Sequence, residues 1–564
     1  MGGTLPVAPW QTGAVTDTTP HARPAAPPSA VSTGTRPESR REARAPRPGP
    51  LGYRRALAAL TLVVAAWGVL WAVVTPSFQA PDEQNHLGSV LRIAYGGGWP
   101  APGDAYFAPA VVDAVDEAAY PSDPPGRFVH RPDVPQFVDL DPVPRDERTR
   151  VEAATALGDA TSGTDVDQMT QHPPLYYALG AGVLHATGLT DARWDTATLA
   201  LRLLDVLLLA LTVPLAAGAA RRVTGSPSAG LVAAVFPLFV PQLGHIMGAA
   251  NNDALVVLAC AAVTFLAARV VTGDLRWRVA VAIGLLVGLG LLTKVMVAFA
   301  LPTVGVAYLL ARGRPWPARL GRVGVAVAVA GVVGGWWWVR NVITLGAVQP
   351  VGRPRDPATV AQVPTDEVPS LIVEKLAQAF FGNLSWLEVR LPGGWVVLGS
   401  TVLVVVALVA LVLPGARRAS LVLLLLPASL AAGVAYNAWD AHGVTGGLVA
   451  VQGRYVFGGV TALAVVLAVA VWQLVRRSER GLARAVPLVV ALALAAGGGG
   501  LVWAFGAFYR APGESLGVGV DRWLAWSPLE PPALVAVLLL AALAVVGAVV
   551  ACLAWPRRAV APPS

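Results

Sequence analysis

Two adjacent carboxylates, Asp82 and Glu83, follow the first long apolar segment of the chain. They belong to the motif Pro-Asp-Glu-Gln-Asn-His, which ends at His86 and continues into apolar residues at helical spacing. A carboxylate in this place can take the proton of an acceptor hydroxyl, while its neighbours orient the acceptor. We therefore predict Asp82 as a general base whose pKa is raised by Glu83, with both acids catalytic and His86 substrate-binding.

A structural interpretation of the same two acids is equally consistent with the sequence. Asp82 and Glu83 can cap the following helix, where their negative charge meets the positive end of the helix dipole. The order Asp-Glu-x-x-His differs from the His-Glu-x-x-His of zinc metalloproteases, so that class of enzyme is not favoured. The residues alone leave catalysis and capping open.

Further polar side chains stand at the ends of later apolar segments. Cations at such ends suit a phosphate or pyrophosphate, and arginine offers it two parallel hydrogen bonds. Any single arginine there is more commonly explained by contact with lipid headgroups, but several on one side weaken that explanation. We predict as substrate-binding His172, Tyr176, Arg202, Asp253, Lys294, Arg340, Asn341, Arg454 and Tyr455.

The composition identifies the kind of element that must position these residues. Of the 564 residues, 55% are hydrophobic and only 13% are charged, which excludes a water-soluble globular enzyme. The net charge of +8 comes from arginine clusters between apolar segments, so we expect no nucleic-acid partner. Cys260 and Cys552 lie inside apolar segments, which indicates neither a disulfide framework nor a thiolate metal site.

Hydropathy predicts an all-α polytopic membrane bundle of about twelve transmembrane helices, within a range of about 11–13. Arginine clusters fall at alternate ends of these segments, which predicts a multi-pass protein with a cytoplasmic N-terminus and an extracytoplasmic active site. The short apolar stretch 173–189 is expected to lie along the outer membrane surface. The predicted spans are 56–75, 199–220, 228–249, 253–271, 279–293, 295–311, 321–339, 395–413, 419–436, 455–475, 486–506 and 533–554.

Three regions follow from this map. Residues 1–52 are rich in Pro, Ala and Arg and predict a disordered cytoplasmic tail. Residues 53–475 form the main transmembrane module with long outer loops 76–171 and 341–394, and 476–564 add C-terminal helices and a short cytoplasmic tail. The first loop holds 16 of the 34 acidic residues and six arginines, so we expect an ordered external subdomain.

In their order along the chain, these motifs resemble the GT-C superfamily of polytopic glycosyltransferases. They are Asp-Glu after the first helix, His-Pro-Pro-Leu-Tyr-Tyr closing the first loop, Leu-Thr-Lys between two short helices and an aromatic-Arg-Asn. More closely, Pro-x-Phe-x-Ala-Pro-Asp-Glu-x-x-His with the later Gln-Gly-Arg-Tyr resembles an uncharacterised bacterial family of predicted membrane proteins. The resemblance covers about residues 56–475.

The resemblance implies a GT-C-like fold and transfer of a hexosyl or pentosyl group from a polyprenyl-phosphate donor, with inversion. Asp82 matches the catalytic carboxylate, and Glu83 matches the acid beside it in protein mannosyltransferases. His172 takes the position before Pro-Pro, which is His in those enzymes and Lys in aminoarabinose transferases. Arg202 matches an arginine that contacts donor phosphate in the mannosyltransferases.

Some expectations rest on topology alone or stay open. Arg340 and Arg454 have no secure counterpart in the protein mannosyltransferases, and their phosphate role follows only from their place in the map. The resemblance does not extend to the Asp-x-Asp motif of oligosaccharyltransferases, so no cofactor is indicated and a divalent metal stays an alternative. The expected partners are a polyprenyl-phosphate-linked sugar, a cell-envelope glycan, lipid or protein as acceptor, and membrane lipids in a bacterial plasma membrane.

Two other classes compete with an integral membrane glycosyltransferase. A transporter or polymerase of lipid-linked glycans places ionisable residues near the bilayer midplane and commonly has repeated halves. We find no convincing internal repeat, and few charges fall in the middle of a span. A non-catalytic scaffold has no need of Asp82, so the glycosyltransferase is the favoured interpretation.

Overall fold

The computed structural model describes residues 50–353 and 357–560, and it confirms the predicted all-α class. Most of the predicted tail 1–52 therefore lies outside the described residues, although the first helix already begins at Pro50. The helices, in chain order, are α1 Pro50–Val74, α2 Glu83–Ala94, α3 Pro109–Glu117, α4 Leu175–Thr187, α5 Trp194–Thr224, α6 Pro227–Ala234, α7 Pro241–Met247, α8 Asp253–Val271, α9 Trp277–Leu291, α10 Leu301–Leu310, α11 Trp316–Ala330, α12 Trp336–Leu345, α13 Val368–Phe381, α14 Gly393–Val412, α15 Arg417–Thr445, α16 Val460–Leu474, α17 Glu479–Tyr509, α18 Leu516–Trp526 and α19 Pro531–Val560.

Shorter elements join these helices. A π-helical turn, Gly331–Gly335, makes α11 and α12 one continuous rod. The 3₁₀ segments Val295–Ala300 and Gly453–Gly459 run directly into α10 and α16, respectively. Strands β1 (Asn383–Leu384) and β2 (Val389–Arg390) pair antiparallel in the second long loop.

Nine helices in the described part of the chain are long and apolar enough to cross a membrane. The pair α6 and α7, bent by 76°, forms a tenth candidate, and two apolar helices, Trp277–Leu291 and Val295–Leu310, are shorter. Each predicted apolar segment coincides with one of these helices, while the count of twelve crossings stays a prediction. The nine are Leu51–Val74, Trp194–Thr224, Asp253–Val271, Trp316–Leu345, Gly393–Val412, Arg417–Thr445, Gly453–Leu474, Glu479–Tyr509 and Pro531–Arg557.

The most enclosed spans are those that begin at the charged residues of interest. The apolar windows of Asp253–Val271 and Gly453–Leu474 are each 72% buried inside the protein, against 11% for Gly393–Val412. Peripheral helices expose apolar side chains, as lipid-facing helices must, because lipid tails are as apolar as these side chains. The central helices therefore give the rigid support that a functional site needs.

The first long loop is ordered and packs against the bundle. Helices α2 and α3 share with α4 a small core that includes Phe78, Val90, Val111 and Tyr177. Helix α4 has 13 residues, fewer than the roughly 20 needed to cross a bilayer, and it is not a candidate span. We call the side of the bundle from which this loop emerges the loop face; α1 and α9 end there, and α8 begins there.

Candidate active site

Four charged residues from distant parts of the sequence meet at the loop face, and we call them the charged cluster: Asp82, Asp253, Lys294 and Arg454. Arg454 Nη2 lies 2.6 Å from Asp82 Oδ2, and Lys294 Nζ lies 2.6 Å from Asp253 Oδ1. Arg454 Nε is 3.6 Å from Asp253 Oδ2, which links the two pairs. Two positive and two negative charges thus balance at a largely buried place, where an unpaired charge would be costly.

Asp82 occupies the residue before α2 in an uncommon backbone conformation, with φ 68° and ψ 7°. Its side chain makes no capping hydrogen bond to the helix. The carboxylate instead faces Arg454 and accepts a long hydrogen bond of 3.4 Å from Gln168 Nε2. The geometry therefore does not support the helix-cap interpretation of this residue.

The partners of Asp82 are each fixed at the end of a helix. Asp253 opens α8, and Lys294 stands in the extended link between α9 and Val295–Ala300. Arg454 follows Gly453, where an added Cβ would lie 2.2 Å from the backbone of Ala379 in α13. Only glycine permits this close approach, and it holds the Arg454 segment against α13.

The cluster is incompletely hydrogen-bonded. Arg454 Nε and Asp253 Oδ2 are buried and have no hydrogen-bond partner among the described residues. Asp82 is the most open member, since its side chain is 17% exposed, whereas that of Arg454 is 5% exposed. Burial acts to raise the pKa of Asp82, but the adjacent Arg454 guanidinium outweighs it and holds this pKa below its ordinary value.

The second predicted catalytic acid, Glu83, points away from the cluster. Its two carboxylate oxygens accept from Arg202 Nε at 2.7 Å and Nη2 at 2.6 Å. The backbone N–H groups of Phe78 and Ala250 donate to the same carboxylate, each at 2.9 Å. Glu83 therefore neither touches the reacting region nor raises the pKa of Asp82, contrary to expectation.

Arg202 is equally saturated by the protein. Besides Glu83, its guanidinium donates to the carbonyl oxygens of Ala72, Thr75 and Pro76 at the end of α1. It is 3% exposed, so no donor group is left for a phosphate. The predicted phosphate contact of Arg202 does not fit this geometry, and the Glu83–Arg202 pair instead joins α1, α2 and α5.

His86 lies beside the cluster as a neutral group. Burial, together with the charges of Arg454 and Lys294, lowers its pKa to about 3 even though Asp82 acts in the other direction. Its Nδ1 is 3.2 Å from Tyr177 Oη, and its ring stacks on the Tyr177 ring at 5.8 Å between centroids. His86 is therefore a hydrogen-bonding group and not a cation.

Tyr176 was predicted to bind substrate, but its hydroxyl donates to Asp205 at 3.0 Å. Asp205 also accepts the backbone N–H of Asn251 at 2.7 Å, so this contact fixes the corner before α8. Its neighbour Tyr177 is the tyrosine next to the site, where its hydroxyl accepts from Asn252 Nδ2 at 3.2 Å. Tyr177, and not the predicted Tyr176, is therefore the tyrosine beside the charged cluster.

Tyr455 and His172 complete the set that the structure brings together. The Tyr455 ring lies beneath Lys294 Nζ, 5.0 Å from the ring centroid, and the Arg454 guanidinium is 5.4 Å from the same centroid. His172 is buried, and burial together with the nearby Lys294 holds its pKa well below the ordinary value. The assembled predicted residues are Asp82, His86, His172, Asp253, Lys294, Arg454 and Tyr455.

Arg340 and Asn341 remain in their own segment. The exposed Arg340 stacks on Trp337, with its guanidinium carbon 5.2 Å from the ring centroid. Asn341 is buried and donates to the Val348 carbonyl at 3.2 Å. The structure does not bring either residue to the charged cluster, and the contacts of Arg340 fit the headgroup alternative.

Comparison of the amino-acid sequence with known families gives one match that includes this site. Residues 65–462 match the family described as Predicted membrane protein (DUF2142). The chain belongs to this family. The resemblance to an uncharacterised membrane family is thereby confirmed, and all four residues of the charged cluster lie in the DUF2142 segment, whereas α17, α18 and α19 follow it.

Two of the solved structures that are similar to this DUF2142 protein contain a lipid phosphate. ArnT from Cupriavidus metallidurans bound to undecaprenyl phosphate has 16% identity and a TM-score of 0.45, covering 91% of this chain and 78% of ArnT. The archaeal oligosaccharyltransferase AglB from Archaeoglobus fulgidus, in complex with an inhibitory peptide and a dolichol-phosphate, has 13% identity and a TM-score of 0.41. The match covers 82% of this chain and 56% of AglB. No curated protein sequence matches the chain.

The carboxylates of the DUF2142 site face cations and not one another. Lys294 pairs with one oxygen of Asp253, and Arg454 pairs with one oxygen of Asp82. The described residues include no cluster of three His, Cys, Asp or Glu suited to a metal. Asp-x-Asp does occur twice in the first long loop, at residues 139 and 141 and at residues 165 and 167, which sequence reasoning passed over. Asp165 pairs with Arg353 at 3.2 Å, and Asp167 accepts from Ser89 at 2.8 Å, so they face different partners.

Three residues near the site were missed by sequence reasoning. Gln168 reaches Asp82, Asn252 reaches Tyr177, and Trp99 stacks on Tyr177 with 4.9 Å between ring centroids. The Asn-Asn-Asp run before α8 was a signal for Asn252, since polar residues rarely cluster at the end of an apolar segment without a role. Nothing in the local pattern around Trp99 or Gln168 points to the site.

Proposed function

We propose that this DUF2142 protein is an integral membrane glycosyltransferase that moves a sugar from a polyprenyl-phosphate donor to an extracytoplasmic acceptor. One observation carries the proposal: Asp82, a partly exposed carboxylate, shares its site with Lys294 and Arg454 at the ends of buried helices. A base beside two cations is what transfer from a phosphate leaving group requires.

The two cations act on the phosphate. A polyprenyl-phosphate sugar is a phosphodiester with one negative charge, and it becomes a monoester with more charge when the sugar leaves. Among the described residues, Arg454 Nε has no hydrogen-bond partner and Lys294 Nζ holds one short ion pair, to Asp253, so both groups can turn to a phosphate oxygen. Their attraction grows as the leaving group gains charge, which lowers the barrier.

Asp82 acts on the acceptor. The acceptor hydroxyl oxygen attacks the anomeric carbon, the bond from that carbon to the phosphate oxygen breaks, and its electron pair stays on the phosphate. The hydroxyl proton passes to Asp82 Oδ. A single displacement of this kind inverts the anomeric carbon.

Donor binding and base activation are coupled through Arg454. In the absence of donor, Arg454 Nη2 occupies one oxygen of Asp82 at 2.6 Å. A phosphate that draws the guanidinium away frees this oxygen and removes the charge that lowers the pKa of Asp82. The base then becomes competent only when a donor is present, which limits unproductive chemistry.

The side of the membrane follows from the arginine distribution. Links opposite the loop face are short and basic, such as residues 475–478 with Arg476 and Arg477, which favours a cytoplasmic location for them. The loop face is then extracytoplasmic, and the acceptor is a glycan, lipid or protein of the cell envelope. The abundance of arginine over lysine fits a GC-rich bacterial genome, and we propose the bacterial plasma membrane as the location.

The test is sugar transfer by purified protein in lipid nanodiscs. Undecaprenyl phosphate carrying radiolabelled mannose, glucose or arabinose is supplied with a cell-envelope fraction, and transferred label is measured. Asp82→Asn keeps the size of the side chain but removes basicity, so transfer should fall by a factor of about 100 or more. The matched control is Asp274→Asn, which alters an Arg-paired carboxylate at the opposite face and should transfer normally.

A transporter of lipid-linked glycans is the second candidate, because α6 and α7 form a helix pair bent by 76°, and broken helices are common in transporters. In proteoliposomes, a transporter would move the labelled donor lipid between leaflets, and Asp82→Asn would leave that movement intact. Normal transfer by Asp82→Asn in nanodiscs would contradict the glycosyltransferase proposal.

A further inference from the structure

Resting on the proposed function, we propose that Trp99 and His172 form the subsite that holds the sugar ring of the donor next to Asp82. The charged cluster then binds the phosphate, and Trp99 and His172 recognise the sugar. The ligand class is an uncharged hexose or pentose. The proposal stands on an aromatic stack and on orphaned buried polar atoms, both on the side of the cluster formed by the first loop and α4.

The aromatic stack begins at the edge of the site and runs inward. The partly exposed Trp99 lies 4.9 Å from Tyr177, which in turn stacks on His86 at 5.8 Å. Trp99 Nε1 donates to the carbonyl of His172 at 3.0 Å, and this bond fixes the orientation of the indole. A fixed, partly open aromatic ring presents an apolar face of the kind that packs against the C–H groups of a sugar.

The second observation is a pair of buried polar atoms without partners. His172 Nδ1 and Thr170 Oγ1 have no hydrogen-bond partner among the described residues, and both residues are at most 5% exposed. A buried polar atom without a partner is uncommon and destabilising, and a ligand hydroxyl would satisfy it. The His172 imidazole is neutral, so it can exchange hydrogen bonds with an uncharged hydroxyl.

The position of His172 joins the two subsites. The 3₁₀ segment Gln168–Gln171 leads directly into His172, and the charges of Lys294, Asp253 and Arg454 all act on the His172 imidazole. Gln168, four residues earlier, reaches Asp82 directly. A sugar bonded to a phosphate at Lys294 and Arg454 therefore lies within reach of His172.

The side chains of this subsite determine what kind of sugar it takes. Trp99, Tyr177, Asn252 and His172 carry no charge at neutral pH in this setting, since burial lowers the pKa of His172. A uronate or an amino sugar would find no counter-charge on these side chains and would lose hydration on entry, because the acids and cations of the charged cluster are paired with one another. An uncharged ring fits both the aromatic face and the neutral imidazole.

The experiment separates sugar recognition from phosphate recognition. Affinities of the full-length protein in nanodiscs are measured for undecaprenyl phosphate and for undecaprenyl-phosphate-glucose, -mannose and -arabinose. The affinity for a sugar-bearing lipid divided by the affinity for undecaprenyl phosphate is the ratio that gives the contribution of the sugar. Trp99→Leu and His172→Phe should each lower this ratio about tenfold while binding of undecaprenyl phosphate itself changes less than about twofold. Trp99→Phe keeps an aromatic face, and His172→Asn keeps a polar atom near Nδ1, so both should retain most of the ratio.

The matched control is Trp439→Ala, which removes an exposed tryptophan of α15. It should leave both affinities unchanged, and melting curves of all variants report whether they fold. The subsite proposal is overturned if the wild-type protein binds every sugar-bearing lipid no better than undecaprenyl phosphate. It is equally overturned if the Trp99 and His172 variants weaken both lipids in parallel. Failure of the wild-type protein to bind undecaprenyl phosphate would instead contradict the proposed function itself.

Discussion

The pairs Glu83–Arg202 and Asp82–Arg454 start from adjacent residues of one loop and differ in how completely they are hydrogen-bonded. Glu83 and Arg202 meet through two short contacts of 2.6 and 2.7 Å, and their side chains are 0% and 3% exposed. Asp82 and Arg454 share one short contact of 2.6 Å, and the carboxylate is 17% exposed. The remaining donors of Arg202 end on backbone carbonyls, whereas Arg454 Nε lies 3.6 Å from Asp253 Oδ2 and has no hydrogen-bond partner among the described residues.

The number of unused donors and acceptors distinguishes a structural ion pair from an exchangeable one. A pair whose donors and acceptors are all used by the protein has nothing to offer a ligand, and breaking it leaves a charge buried and unpaired. A pair with unused donors keeps one partner available to an incoming anion. On this criterion, Glu83–Arg202 stabilises the fold, and we propose that Asp82–Arg454 binds the donor and takes part in the reaction.

The largest effect that we predict concerns stability. Arg202→Gln should lower the free energy of unfolding by about 3–5 kcal/mol, because Glu83 is left as an uncompensated buried charge. Arg454→Gln should cost far less, since Asp82 is partly exposed and can be solvated or protonated. Unfolding of both variants in mixed micelles, followed by tryptophan fluorescence, measures the difference. Equal destabilisation by the two substitutions would refute the distinction between the pairs.

The next effect concerns donor binding. Arg454→Gln and Lys294→Gln should each weaken binding of undecaprenyl phosphate by about tenfold to a hundredfold, through loss of a charge-assisted hydrogen bond. Arg340→Gln is the matched control, because Arg340 carries the same charge but stacks on Trp337 in its own segment. Affinities are measured in nanodiscs of fixed lipid composition and salt. A loss in Arg340→Gln as large as that in Arg454→Gln would assign the effect to general membrane electrostatics.

Much of the fold could be predicted from the sequence, because a bilayer admits few solutions. Backbone groups in lipid must be hydrogen-bonded within their own segment, so long apolar stretches form helices, and each predicted stretch coincides with one. The break between α6 and α7 could not be predicted from hydropathy. The break lies at Pro237 and Pro241, and the direction of α7 after it depends on packing, because an added Cβ on Gly244 or Gly248 would lie within 3 Å of Trp71.

The site could be predicted to the level of helix ends but not of side-chain direction. Successive residues of a helix point about 100° apart, so neighbours such as Tyr176 and Tyr177 face different partners. Asp82 and Glu83, whose adjacency suggested a shared role, diverge for another reason: Asp82 precedes α2 in a left-handed backbone conformation, whereas Glu83 is the first residue of the helix. Trp99 follows three glycines in a loop without periodicity, and only the tertiary fold brings it to the site.

The smallest effect concerns the pH dependence of transfer, and it tests the Asp82–Arg454 pair directly. The acid limb of the pH profile of kcat/KM reports the pKa of the essential base in the free enzyme, and we assign this base to Asp82. Burial acts to raise the pKa of this carboxyl, but Arg454 outweighs it, so the wild-type limb should lie below the ordinary value of 3.8. The charged form is favoured in the folded state, and the stability contributed by the pair is lost only as the pH falls through that lowered pKa.

Removing the guanidinium leaves burial as the dominant influence on Asp82. In Arg454→Gln, the acid limb should therefore move up by about one pH unit, while the fold is checked at each pH by circular dichroism. Lys294→Gln should move the limb in the same direction but less, because Lys294 bonds to Asp253 and acts on Asp82 only at a distance. Arg202→Gln, if it folds, should leave the limb in place, since Arg202 faces Glu83. A limb that stays fixed in Arg454→Gln, or moves to lower pH, would show that the titrating base is not the carboxylate that Arg454 holds.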